Sequence, residues 1–279
     1  KLNIPVGISD FREIRENGYY YIDKTFLIYE LLKTPATKVT LITRPRRFGK
    51  TLGMSMLADF FDIRKESSSL FEGLDISEKT NICNEWLNQY PVIFLSLKDI
   101  DGLTFKDAYG QLVAQIADLY KEYTYLLECA EIDEDDKKIF LDLKAGKADK
   151  VQVSRSFSTL MKMLQIYYQK PVILLLDEYD VPVAKASNHG YYNEMLDVMK
   201  GIMSTALKDN QALRFAVITG CLKIAKESIF TGTNNFVSDT IRDSRYNEYF
   251  GFTQAEVDII LKDADCTEHA ENVREWYDG

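Results

Sequence analysis

Short apolar runs recur along the chain and predict the strands of a sheet. Four runs are clear and the last is weaker, at residues 39–43, 92–97, 172–176, 215–219 and 248–252. Consecutive apolar positions are typical of strands that are buried on both faces, as in a parallel sheet. Because stretches with helical spacing separate these runs, the pattern predicts an α/β fold whose parallel sheet is flanked by helices on both faces.

The helical stretches carry apolar residues three or four positions apart. They lie at residues 52–63, 105–123, 157–168, 192–207 and 257–261. Two of them follow a threonine with an acidic residue three positions later, Thr104 with Asp107 and Thr253 with Glu256. This spacing is typical of a helix start, because the two side chains cap each other's backbone N–H groups.

Residues 128–150 interrupt the pattern with a dense run of acidic residues followed by lysines. We interpret this segment as a solvated loop or a helix end, and the alternative is a functional acidic patch.

Composition and charge narrow the functional class. The 279 residues include 34 Lys and Arg against 43 Asp and Glu. The resulting net charge of −9 argues against nucleic-acid binding that extends over the whole surface. The longest clean apolar run, 172–176, is far shorter than a membrane helix, so we expect a soluble, cytoplasmic protein. The four cysteines are scattered and only two histidines are present, which indicates buried thiols rather than a zinc site.

The segment after the first predicted strand has the features of a phosphate-binding loop. Strand 39–43 runs into a short loop that ends in Gly49-Lys50-Thr51 at the start of a helix, the context of a P-loop or Walker A motif. Gly49 allows the backbone N–H groups to point at a phosphate, Lys50 reaches its oxygens, and Thr51 offers a hydroxyl to Mg²⁺. The candidate nucleotide-binding residues are Arg46, Arg47, Phe48, Gly49, Lys50, Thr51 and Leu52.

Arg44 stands where the P-loop template has its first glycine. The loop alone therefore leaves phosphate binding and an ordinary capped helix as equal alternatives.

A second motif supports phosphate binding. The apolar run 172–176 ends in Asp177 and Glu178, as in a Walker B strand. At the carboxyl end of a parallel strand, Asp177 would bind the water shell of Mg²⁺ and Glu178 would act as the base that activates water. The alternative is that the two carboxylates only mark the point where a strand reaches the surface. Together, loop and carboxylates predict a nucleotide site.

Other polar residues are candidates for contacts to the phosphates. Thr219 ends the strand at 215–219 and would donate to the γ-phosphate or the attacking water, as sensor residues do. The alternative is that Thr219 only marks the end of a strand before a turn. The guanidinium groups of Arg44, Arg46 and Arg47 would clamp phosphate oxygens or project outward. Four further cations would either reach the site or remain surface charges: Lys223, Lys226, Arg242 and Arg245.

These motifs resemble the AAA-ATPase-like family of bacterial P-loop NTPases, which is related to the AAA+ and STAND ATPases. The similar segments include 4–8, 20–25, the loop 44–51, 176–180, 218–220, 226–230, 249–253 and 276–279. The form Arg-Pro-Arg-Arg-Phe-Gly-Lys-Thr resembles this family's own version of the loop.

The resemblance implies a P-loop NTPase fold with strand order 5-1-4-3-2, ATP with Mg²⁺ as ligand, and often a C-terminal PD-(D/E)xK nuclease-like domain. It implies a P-loop domain at 1–251, whose segment 1–38 lies near the adenine site, and a truncated start of a helical lid subdomain at 252–279. Residues 4–8 and 21–25 are candidates for the base pocket, or alternatively pack on the sheet edge as a helix and hairpin.

The function expected from these observations is Mg²⁺-dependent ATP hydrolysis. Lys50, Glu178 and Thr219 are the candidate catalytic residues, and Thr51 and Asp177 are the candidate metal ligands. The main alternative is a nucleotide-gated binding module or scaffold with negligible turnover, attached to a nuclease-like domain. A helicase is disfavoured by the acidic charge and by the lack of a second recombinase-like core. Expected partners are the nucleotide and a homo-oligomer, with nucleic acid only through a missing C-terminal domain and no membrane.

Overall fold

The computed structural model describes residues 3–45, 49–221, 229–230, 236–239 and 246–267. The strands are β1 (Val39–Thr43), β2 (Val92–Ser96), β3 (Val172–Asp177), β4 (Leu213–Gly220) and β5 (Phe236–Asp239). The helices are α1 (Phe11–Glu16), α2 (Phe26–Leu32), α3 (Lys50–Phe61), α4 (Ser68–Phe71), α5 (Thr80–Trp86), α6 (Phe105–Lys121), α7 (Glu134–Lys144), α8 (Lys150–Ser154), α9 (Ser156–Tyr168), α10 (Val181–His189), α11 (Tyr192–Leu207) and α12 (Gln254–Asp263). Short 3₁₀ turns occupy Asp75–Glu78, Thr124–Glu128 and Asn247–Tyr249.

The described strands form one parallel sheet in the order β2-β3-β4-β1-β5, which counted from the other edge is β5-β1-β4-β3-β2. Strand β4 lies between β1 and β3, with Thr43 beside Gly220 and Leu176 beside Ile218. The carboxyl ends of β1, β3 and β4 therefore meet at one edge of the sheet. The predicted α/β class with a parallel sheet is confirmed.

Both faces of the sheet are covered, which explains why its strands are continuous apolar runs. In β3, Leu174 and Leu176 pack into one core, while Ile173 and Leu175 pack into the other. The first core receives buried side chains from α6, α7, α9, α10 and α11. The second receives side chains from α1, α2, α3, α4 and α5. Burial on both faces is the arrangement that parallel sheets require.

Helix α3 carries the phosphate-loop candidates into the second core. It begins directly at Lys50, after Gly49 in a left-handed conformation with φ of 68°. Nine of its 12 residues are buried, so packing fixes the direction of its first turn. Thr51 and Lys50 consequently lie at the carboxyl edge of the sheet.

The strand predicted at 248–252 is wrong. Residues Asn247–Tyr249 form a 3₁₀ turn, and Tyr249 and Phe250 are buried in the second core. Phe250 packs so closely on α3 that a Cβ at Gly53 would lie 3.0 Å from its ring. The fifth strand is Phe236–Asp239, which pairs with β1. Phe250 of the predicted strand thus packs on α3 instead of entering the sheet.

The interpretation of 128–150 as a loop or helix end is wrong for residues 134–144, which form α7. Asp133 caps this helix by accepting a 2.7 Å hydrogen bond from the Asp135 N–H. Acidic residues in the first turn also interact favourably with the helix dipole. Phe140 and Leu143 are buried in the first core. The acidic run is therefore the start of an amphipathic helix.

Within the ranges given above, no helix combines the length and the apolar character needed to cross a bilayer.

The buried carboxylate of Asp59 in α3 predicts a pH-dependent contribution to stability. One of its oxygens accepts a 2.8 Å hydrogen bond from Lys65, while Oδ2 has no hydrogen-bond partner within the described residues. Burial raises the pKa of Asp59 against the opposing effects of Lys65 and Arg12, and Asp10 adds to the rise. Because the folded pKa is raised, the contribution of Asp59 to the free energy of unfolding is greatest below its ordinary pKa of about 4 and is lost as the pH rises through the raised value.

We expect Asp59→Asn to gain stability relative to wild type as the pH rises from about 4 towards neutrality. The measurement is the free energy of unfolding by urea across this pH range. Asp118→Asn, at an exposed position of α6, controls for the general effect of replacing a carboxylate. A constant difference between Asp59→Asn and wild type at every pH would contradict the prediction.

Candidate functional site

The candidate site lies at the carboxyl edge of the sheet, where strand β4 separates β1 from β3. In open α/β sheets, ligands bind at this edge, in the crevice formed where neighbouring strands connect in opposite directions. Residues 44–45 after β1 and the first turn of α3 lie on one side of the crevice, and the residues after β3 lie on the other.

Asp177 is the buried centre of this edge. Its carboxylate is fully buried, and three hydroxyl groups donate to it. Thr51 Oγ1 donates to Oδ2 at 2.8 Å, Ser96 Oγ donates to the same oxygen at 3.3 Å, and Thr219 Oγ1 donates to Oδ1 in a short bond. A buried carboxylate requires such partners, because its desolvation is otherwise costly. These bonds join α3, β2 and β4 to the end of β3.

Lys50, which precedes Thr51 in the chain, is also buried. Its ammonium donates to the carbonyl oxygens of Arg44 at 2.7 Å and Pro45 at 3.0 Å. It also lies 3.2 Å from Cys221 Sγ and 3.6 Å from Glu178 Oε1. The lysine is therefore held by the backbone carbonyls of residues 44 and 45 and faces Glu178, the second carboxylate of the site.

Arg44, at the position of the missing template glycine, is buried with 2% of its surface exposed. Its Nη1 donates to the carbonyl of Thr43 at 2.9 Å, and its backbone N–H donates to Gly220 O at 3.0 Å. The guanidinium thus lies in the protein interior and does not project outward.

Glu178 has an unusual backbone conformation, with φ of 56°. Left-handed backbone is unfavourable for a residue with a long side chain, and such strain clusters at functional sites. Two hydrogen bonds to the same residue hold it: the Glu178 N–H donates to Thr219 Oγ1 at 3.3 Å, and the Tyr179 N–H donates to Thr219 O at 3.0 Å. The Tyr179 ring also lies close to the backbone of Gly220. Only glycine fits there, since a Cβ at this position would lie 2.5 Å from the ring.

The side chain of Glu178 contacts a thiol as well as Lys50. Cys221 Sγ donates to Glu178 Oε2 at 3.5 Å. Burial raises the pKa of the Cys221 thiol, although Lys50 acts in the opposite direction. The thiol therefore stays protonated near neutral pH and serves as a weak donor to the carboxylate.

A cavity of about 940 Å³ opens beside these groups. Lys50, Thr51 and Glu178 form its polar end. Its other walls are mainly apolar and come from the N-terminal segment, α1, the segment before α12 and α12 itself: Ile4, Pro5, Val6, Gly7, Ile8, Ser9, Ile14, Tyr20, Tyr21, Ile22, Lys24, Tyr249, Gly251, Phe252, Val257, Ile260 and Leu261. Its size is at the upper end of the range for small-molecule sites.

An ion pair joins two walls of this cavity. Lys24 donates to both carboxylate oxygens of Glu256, at 2.7 and 2.8 Å, and to the carbonyl of Glu248. Glu256 also completes a capping box by accepting from the Thr253 N–H at 2.8 Å. The side chains of Lys24 and Glu256 are only 12% and 21% exposed. The pair therefore fixes the start of α12 against the N-terminal segment.

The structure brings many of the sequence-derived candidates together. Gly49, Lys50, Thr51, Leu52 and Glu178 line the cavity, as do residues 4–8 and 21–22 of the proposed base pocket. Asp177 lies behind Thr51, and Thr219 lies beside Asp177. The other candidates lie outside the described residues: Arg46, Arg47, Phe48, Lys223, Lys226, Arg242 and Arg245.

Sequence reasoning missed several residues of the site. Ser96 is the last residue of β2, directly after its apolar positions. A polar residue at the end of the strand that pairs with β3 is a local pattern that could have identified it. Cys221 and the apolar residues of α12 carried no comparable signal. They join the site only through contacts between distant parts of the chain.

The described residues contain no group of three or more His, Cys, Asp or Glu side chains placed to hold a metal. The paired hydroxyl and carboxylate of Thr51 and Asp177 are hard oxygen donors of the kind that suits Mg²⁺. Mg²⁺ is usually held by one or two protein ligands together with phosphates and water. This donor set therefore fits a metal that arrives with a phosphate-bearing ligand.

The Lys24–Glu256 pair predicts a measurable coupling between the N-terminal segment and α12. In a double-mutant cycle of Lys24→Met and Glu256→Gln, we expect an interaction free energy of about 0.5–3 kcal/mol in the free energy of unfolding. The matched control is the exposed pair Lys121 and Asp118 in α6, whose side chains are 56% and 73% exposed and should couple much more weakly. Equal coupling in the two cycles would show that Lys24 and Glu256 do not join the cavity walls.

Comparison with known proteins identifies the family. The model of a family described as predicted AAA-ATPase matches residues 5–230. The chain is 30% identical over 279 residues to an uncharacterized protein encoded in the 5′ region of vnfD in Azotobacter chroococcum mcd 1, covering 99% of this chain and 48% of that protein. The chain thus spans about half the length of this relative, and no solved structure matches it. The chain belongs to the AAA-ATPase-like family of predicted ATPases.

Proposed function

We propose that this chain binds ATP together with Mg²⁺ and hydrolyses it as a P-loop ATPase. The observation that carries the proposal is the 2.8 Å hydrogen bond between Thr51 Oγ1 and Asp177 Oδ2. It joins the first turn of α3 to the end of β3, 126 positions later in the chain, beside a cavity that Lys50 and Glu178 also line. A phosphate loop and an acidic strand end in this relation support phosphoryl-transfer chemistry.

The phosphates are proposed to bind at the amino end of α3. This helix has 12 residues, and its first N–H groups and its dipole favour an anion. Lys50 is the cation for the β- and γ-phosphate oxygens. Its ammonium donates to two carbonyl groups, and the charged oxygens of a phosphate are stronger acceptors than these carbonyls.

Thr51 and Asp177 are the residues proposed to hold Mg²⁺. When bound, Mg²⁺ neutralises charge on the phosphate oxygens and thereby favours transfer of the terminal phosphoryl group. The protein's own contribution is to fix the donors. The Asp177 carboxylate orients the Thr51 hydroxyl by accepting a hydrogen bond from it, which leaves the lone pairs of Thr51 Oγ1 available to the metal.

Glu178 is the proposed general base. It is the carboxylate of the pair that faces the cavity, whereas Asp177 is enclosed. Its left-handed backbone aims the side chain toward Lys50, and thus toward the place proposed for the terminal phosphate. A carboxylate there would accept a proton from the attacking water and orient it.

The apolar end of the cavity is proposed to take the adenine. Residues 4–8 and 20–22, together with Val257, Ile260 and Leu261, contribute apolar lining to this cavity. A flat aromatic base gains from desolvation between such walls, while the triphosphate extends toward the polar end.

One observation favours the alternative of a nucleotide-gated module with little turnover. Glu178 lies 3.6 Å from the Lys50 ammonium and accepts from the Cys221 thiol at 3.5 Å, so two neighbouring groups compete with a water molecule for the proposed base. On this alternative, the bound nucleotide would change the conformation of the chain without being hydrolysed quickly.

Glu178→Gln separates the two functions. For an ATPase, we expect the variant to lose about 100-fold or more of its turnover, because a general base contributes about 10²–10⁴-fold to such reactions. Nucleotide affinity should remain nearly unchanged, since the amide keeps the shape of the side chain. The measurements are phosphate release at saturating Mg²⁺-ATP and the dissociation constant of a fluorescent ATP analogue.

Glu85→Gln, at an exposed position of α5, is the matched control and should hydrolyse ATP at the wild-type rate. Equal phosphate release by Glu178→Gln and wild type would remove Glu178 from the mechanism. Tight nucleotide binding without turnover in wild type would favour the gated module.

A further inference from the structure

We propose that Thr219 is a positioning residue that acts through Asp177 and Glu178 and does not contact the phosphate or the attacking water. This inference rests on the proposed function, because Asp177 and Glu178 are the proposed metal-binding and basic residues. It replaces the sensor role that the sequence suggests for Thr219 with a different one.

The hydrogen-bonding capacity of the hydroxyl supports this role. A threonine hydroxyl has one hydrogen to donate and two lone pairs that accept. In this structure Thr219 Oγ1 donates to Asp177 Oδ1 and accepts from the Glu178 N–H at 3.3 Å. The carboxylate only accepts and the backbone N–H only donates, so the direction of both bonds is fixed. Thr219 therefore has no hydrogen left to donate to a phosphate or a water.

The location of Thr219 agrees with this conclusion. Its side chain is fully buried, and it is not among the residues that line the cavity. It lies on β4 between two neighbours, with Ile42 of β1 opposite it on one side and the end of β3 on the other. The hydroxyl thus faces the chain segment Asp177-Glu178, and of these residues it is Glu178 that lines the cavity.

The two bonds act on two different properties of the site. The bond to Oδ1 fixes the rotation of the Asp177 carboxylate, which leaves Oδ2 directed at Thr51 and Ser96. The bond from the Glu178 N–H, together with the bond from the Tyr179 N–H to Thr219 O, holds the left-handed backbone of Glu178. Loss of the hydroxyl would leave a buried carboxylate oxygen and a buried N–H without this partner, so both side chains would lose their orientation.

The test compares Thr219→Val, which keeps the shape but lacks the hydroxyl, with Thr219→Ser, which keeps the hydroxyl. The first measurement is binding of a fluorescent ATP analogue as Mg²⁺ is titrated, and the second is the pair of constants kcat and KM for ATP. For Thr219→Val we expect the Mg²⁺ concentration at half-saturation to rise by about 10- to 100-fold, as for other residues that orient a metal ligand. Binding without Mg²⁺ and KM at saturating Mg²⁺ should stay near wild type, kcat should fall, and Thr219→Ser should restore the Mg²⁺ response.

Thr40→Val is the matched control, because Thr40 is a buried threonine of β1 whose hydroxyl is not bonded to Asp177 or Glu178. If Thr219→Val fails to fold, Thr219→Ala is measured in the same way, with Ser96→Ala expected to give a smaller shift of the same kind. A lower kcat with an unchanged Mg²⁺ response would assign Thr219 to the phosphate and overturn the inference. Absence of nucleotide binding by wild type would instead overturn the proposed function and the inference with it.

Discussion

A buried carboxylate, Asp177, is the constraint on which the geometry of the site depends. Its negative charge has no access to solvent, so it must be satisfied by donors from the surrounding elements. Hydroxyl groups from α3, β2 and β4 supply them. Strand β3 lies between β2 and β4, and α3 follows β1 on the other side of β4, so the strand order brings these donors to the end of β3. Displacing any one of these elements would remove one of the donors to this charge.

The same edge also concentrates strain and opposite charges. Glu178 adopts a left-handed backbone, and its carboxylate lies 3.6 Å from the buried ammonium of Lys50. Neither feature is favourable for stability by itself, since backbone strain and charge desolvation both cost free energy. The two apolar cores on either side of the sheet offset this cost and hold the strained residues in place. Such an arrangement is typical of a site whose groups are oriented before the ligand arrives.

Local patterns predicted most of the fold, and long-range packing decided the rest. The run 172–176 and the helical spacing at 105–123 correspond to β3 and α6, because burial of a strand or a helix face leaves a periodic trace. Tyr249 and Phe250 read as a strand but pack in the second core, Phe250 against α3, since an aromatic pair has the same local pattern in both settings. Likewise, Lys50 and Asp177 stood out by their motifs, whereas the Lys24–Glu256 pair joins residues 232 positions apart and no local pattern marks it.

The central claim is that residues 49–51 and 177–178 form a single site for a triphosphate. Titration of a fluorescent ATP analogue, with and without Mg²⁺, on wild type and Lys50→Ala tests it most directly. The account predicts saturable binding by wild type that tightens with Mg²⁺, and loss of most of that affinity in a Lys50→Ala variant that remains folded. Equal affinity in the two proteins, or binding that ignores Mg²⁺, would contradict it.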